Sequence, residues 1–106
     1  MRPSTILTIV AEQLDDVAMS TTNEDQKKEA ERLRDLINDS IPRVVDLELK
    51  DSANAYKKII EGFQAACKAA GVADAELKKI AKWGATAAEV VDTAVKIIAA
   101  LGPFLA

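Results

Sequence analysis

Carboxylates are the most plentiful reactive groups in this 106-residue chain, with 17 Asp and Glu against 14 Lys and Arg and no histidine. Two acids can divide general-acid and general-base work when their surroundings push their pKa values apart. The nearest candidates are Asp15 with Asp16 and Asp46 with Glu48. Side chains one or two positions apart on a helix diverge, so neither pair reads as an active site. Without histidine, no side chain has an ordinary pKa near neutrality, and no imidazole is present to activate a nucleophile or bind a metal. Tyr56 and the lysines would have to act alone. Cys67 has no partner for an internal disulfide, and it falls on an apolar stripe, where a small buried residue is expected rather than a reactive thiol.

The other common chemistries lack their residues too. A zinc site would need Cys and His ligands, and a calcium loop needs alternating oxygen ligands around a central glycine, which Asp15 to Glu24 does not supply. The 4 glycines are isolated, so no phosphate cradle or nucleotide fingerprint is formed. A net charge of −3, with no basic stripe interleaved with aromatics, argues against nucleic acid. The charge is uneven: Met1 to Asp51 carries 7 basic and 12 acidic residues, net −5, and Ser52 to Ala106 carries 7 basic and 5 acidic, net +2. Such asymmetry can steer docking or self-association. The expectation is a protein that is not an enzyme and has no cofactor, metal or small-molecule substrate.

The elements that must position any functional group read as four helical blocks in one domain, residues 1–106. The first runs from about Ser4 to Met19, with Ile6, Leu7, Val10, Leu14, Val17 and Ala18 on one face. It resembles a secretory leader only superficially, because acids follow the apolar run and no small-residue cleavage site precedes them. The second starts at Asn23, three residues before Gln26 in capping-box spacing, and runs to about Asn38 as a charged outer helix. Pro42 suits the first position of a third helix reaching Ala70, with a possible break or kink near Asp51 or Ser52. Gly71 is placed as a left-handed cap, Asp74 as the cap of a fourth helix, and Gly102-Pro103 as its stop.

The fold class expected is therefore all-α, a small antiparallel four-helix bundle whose third and fourth helices form a long Ala-rich hairpin. Ala66, Ala69 and Ala70 would face Ala81, Gly84 and Ala88, letting the backbones approach closely. On that packing, Ala88 is a seam residue and a leucine there would overpack it.

What remains is recognition by shape and apolar burial. Trp83 is the only tryptophan, at the border of the fourth helix's apolar face. Such a residue either closes the core or anchors a partner. The expected partner-binding residues are Trp83, Lys82, Val90, Ile97, Phe104 and Leu105. The function expected is a protein-protein interaction module, such as a regulator, inhibitor, immunity or accessory protein, meeting a partner or a second copy through its C-terminal helix. The alternative is a membrane-active amphipathic protein, supported by Lys78, Lys79 and Lys82 and opposed by net acidity and the lack of an aromatic belt. No run approaches the ~20 apolar residues of a spanning helix, so a cytoplasmic location is expected.

Overall fold

Among the described residues, the apolar stripes fold into five helices where four were expected. In a computed structural model that describes residues 1–49 and 53–106, they are α1 (Pro3–Ser20), α2 (Glu24–Glu48), α3 (Ala53–Ala69), α4 (Asp74–Ala81) and α5 (Ala87–Leu105), with no strand among the described residues. The kink considered near Asp51 lies outside the described residues.

The most extensive pairing is between α1 and α2. Pro3 opens α1, where its missing N–H removes no helical hydrogen bond. Leu7, Val10 and Leu14 are fully buried along one stripe, against Ala30, Leu33 and Ile37 of α2 in the common core. Three polar contacts fix an antiparallel register. The Thr21 hydroxyl donates to Gln26 Oε1 (2.6 Å), Arg34 pairs with Asp15 (2.6 Å), and the Ser4 N–H and hydroxyl both donate to Glu48 (3.1 and 2.5 Å). The last contact is a cap supplied by a neighbouring helix: Arg2 makes no side-chain cap, and the buried Glu48 carboxylate takes up the free N–H at the positive end of α1. Asn23 caps α2 through Gln26 N–H (3.0 Å), as its spacing implies.

Pro42 does not begin a helix; it lies inside α2. It cannot donate to the carbonyl of Asn38, but both residues are exposed, so that carbonyl is left to solvent. Ile37 and Val44, fully buried on either side, carry one apolar face through the proline, and this burial outweighs the lost hydrogen bond. Gly102-Pro103 likewise fails to stop α5, which continues to Leu105. The donor lost at Pro103 would have reached Ala99, again an exposed residue.

The expected fourth helix is two helices, and the Ala-rich hairpin does not form as a unit. α4 lies against α1, whereas α3 packs mainly against α5, which also crosses α2 and α1. Asp74 is the first residue of α4 rather than its cap. Phe63 and Phe104 join α3 to α5 edge-on, with ring centroids 5.4 Å apart. Ala69, Gly84 and Ala88 are exposed, and Ala66, Ala70 and Ala81 are half-buried. The small residues that permit close approach are instead Ala94 and Ala100, both in the core.

These placements reverse the expectation for Ala88. Ala94→Leu should overpack the core and lower the unfolding free energy by about 1–3 kcal/mol, while Ala88→Leu should change it by less than about 0.5 kcal/mol. Urea denaturation of the two variants checks both, and equal losses would mean that α5 buries a different face.

Candidate functional site

Residues 82–86 turn the chain from α4 into α5, and the geometry of this corner is unusual at Trp83. Lys82 is the C-cap of α4; Trp83 N–H donates to the Ile80 carbonyl (3.0 Å) and Gly84 N–H to that of Lys79 (2.9 Å). This crossed pair is the Schellman arrangement, which requires left-handed backbone at the residue after the cap. That residue is Trp83, with φ +60°, and the glycine stands one position too late to relieve it.

The end of α3 shows the same motif with the residue that suits it. Gly71, with φ +93°, donates to Lys68 (3.0 Å), Val72 N–H donates to Cys67 (2.8 Å), and the Val72 side chain is buried. A non-glycine residue in left-handed backbone costs roughly 1–2 kcal/mol, because its Cβ crowds the following carbonyl. Trp83 carries that strain and is still 51% exposed.

Three contacts hold the corner rigidly enough to maintain it. Gln13, buried on α1, donates from Nε2 to the Ile80 carbonyl (2.6 Å), a second donor to the oxygen that also accepts from Trp83 N–H. Thr86 and Glu89 form a capping box that starts α5, with Glu89 N–H donating to Thr86 Oγ1 (3.2 Å) and Thr86 N–H to Glu89 Oε1 (3.1 Å). The other oxygen of Glu89 takes a hydrogen bond from Lys79 Nζ (2.6 Å), tying α4 to α5. Lys79, followed by the Thr86 backbone and hydroxyl, holds the Glu89 carboxyl down at about 2.

Beside Trp83, the corner and the end of α1 enclose an open groove of about 200 Å³, walled by Asp16, Val17, Ser20, Ala85 and Ala87. The sequence-based candidates divide between three places. Trp83 and Lys82 stand exposed at the corner, and Lys82 makes no ion pair among the described residues. Val90 and Ile97 are buried and present no face to a partner. Phe104 is half-buried against Phe63, and Leu105 lines a separate groove with Leu36 and Arg43, at the far end of a helix ~27 Å long. The six residues therefore do not form one surface.

Sequence reasoning missed Gln13, and it weighed Asp16 only as an acid paired with Asp15, not as a groove residue. Gln13 carried a signal, since it lies on the α1 stripe between Val10 and Val17, where a polar residue must find a buried partner. Asp16 carried none.

Among the described residues, no three His, Cys, Asp or Glu side chains are placed to hold a metal, and no buried polar side-chain atom lacks a partner. Cys67 is fully buried; burial, aided by Asp74, pushes its thiol up to about 11, so it remains protonated at neutral pH. No described helix is long and apolar enough to cross a membrane.

The Glu89 contacts predict a pH dependence. A carboxyl whose pKa is depressed by folding contributes its stability above the ordinary value of 4.5 and loses it as pH falls through about 2. Glu89→Gln should accordingly be less stable than the parent above 4.5 and converge with it near 2, as read from urea midpoints across that range. A gap that stays constant would show that the Lys79–Glu89 contact adds nothing to the fold.

No known protein family matches this chain, and neither curated proteins nor solved structures give a match.

Proposed function

We propose that this chain is a non-enzymatic protein-interaction module anchored by Trp83 at the corner between α4 and α5. One observation carries the reading: a large, half-exposed aromatic side chain is kept in left-handed backbone, where glycine would complete the same turn with less strain. Strain retained at an exposed side chain points to a use outside the fold. Tryptophan is also among the residues most enriched at the energetic centres of interfaces.

The neighbouring groove supports this reading, because Ala85, Ala87 and Val17 leave room beside the indole for a partner's side chain. Val90 serves from beneath, as core. Phe104 and Leu105 do not belong to the anchor. The protein would act by occupying a surface of its partner, as a regulator, inhibitor or accessory subunit does.

Trp83→Gly separates anchoring from folding. The variant should keep or gain stability, by about 1 kcal/mol, through relief of the left-handed strain. It should also lose association by ~2 kcal/mol or more, as expected for a hot-spot aromatic. Equilibrium unfolding reads the first effect; partner capture and sedimentation across protein concentrations read the second. A Trp83→Gly chain that unfolds more readily would mark Trp83 as a packing residue, and complexes that survive the substitution would overturn the proposal. Co-sedimentation with anionic vesicles that depends on Trp83, without protein association, would favour the membrane-surface alternative.

A further inference from the structure

Asp16 shares the groove beside Trp83, and its carboxylate makes no ion pair or hydrogen bond among the described residues. Its neighbours are committed. Asp15 is taken by Arg34, and the Lys79 ammonium is taken by Glu89. Lys82 adjoins Trp83 in sequence but does not line the groove. A free carboxylate and an indole therefore share one small cleft whose other walls include Val17, Ala85 and Ala87.

That combination suits a cation. An indole face attracts positive charge through its quadrupole, more strongly than any other aromatic side chain, and a carboxylate supplies the counter-charge. Arginine fits both better than lysine does: its flat guanidinium stacks on an indole and presents a fork of N–H donors to carboxylate oxygens. The α1 wall of the groove belongs to the half of the chain that is net −5, and the corner that supplies Trp83 belongs to the half that is net +2, so the negative charge offered to a cation comes from the α1 side.

We infer that the Trp83 groove receives an arginine side chain from an exposed basic segment of a partner protein, stacked on the indole and paired with Asp16. The inference rests on Trp83 being the anchor proposed above and adds the chemistry of what it meets.

Trp83 is the only tryptophan, so its emission reports the groove directly. The probe is a capped Gly/Ser peptide carrying arginines, compared with one in which citrulline replaces each arginine, keeping the shape and removing the charge. The expected result is a saturable change in Trp83 emission with the arginine peptide, weakened by added salt and absent with citrulline. Asp16→Asn, with unchanged circular dichroism, should loosen binding by about two- to five-fold. Equal binding of the citrulline peptide, or an Asp16→Asn chain that binds like the parent, overturns the inference. So does a Trp83-dependent dimer of this chain with no response to the peptide. If Trp83→Gly abolishes partner association while Asp16→Asn does not, the anchor stands and the arginine falls; if Trp83→Gly leaves association intact, both fall.

Discussion

The hydrogen bond from Gln13 to the Ile80 carbonyl joins the two halves of the molecule. Gln13 is buried, so its amide needs a partner there, and leaving it unpaired would cost about 1–3 kcal/mol. The carbonyl at the end of α4 gains a donor in the same contact. That requirement sets where α4 ends against α1, and thus where the chain turns toward α5. Leu77 and Ile80 supply apolar contact but no comparable directional constraint. With the Thr86–Glu89 capping box and the Lys79–Glu89 contact, this tie holds Trp83 at the mouth of the α1 groove.

The same division of labour recurs through the bundle. Leucine, isoleucine and valine drive burial without choosing among neighbouring registers, while a few polar contacts choose. Ser4 with Glu48 fixes one end of the α1–α2 pair, and Arg34 with Asp15 fixes its middle. Most other ion pairs join near neighbours on exposed surface, such as Glu29 with Arg32, where solvent and side-chain entropy leave little net stabilisation. Position in the fold, more than the number of charges, decides which contacts matter.

Features governed by local chemistry were legible in the sequence. These include the extent of α1, the Asn23 cap, the left-handed Gly71 and the burial of Cys67. Features decided by tertiary packing were not. Pro42 and Pro103 read as boundaries because a proline removes a donor; each instead lies on an exposed side of its helix, where the loss is small and the face beneath continues to bury. α5 is apolar around much of its circumference, so its spacing did not distinguish Val90 and Ile97, which are buried, from residues offered outward. The α4–α5 break had one readable sign, the spacing of Thr86 and Glu89 that begins a new helix. The left-handed turn ahead of it was hidden by a tryptophan where glycine is usual.

The uneven sequence separation of the contacts also has a consequence for how the chain acquires its shape. α1 and α2 are joined by three residues, so pairing them closes a short loop, whereas α5 must return across more than half the chain to reach α1. Contacts with low closure entropy form at less cost and therefore earlier. The first half can pair as it leaves the ribosome, with one face of α1 still wet. The carbonyl that Gln13 needs lies 67 residues further along, so its amide can be buried with a partner only once α4 has reached α1.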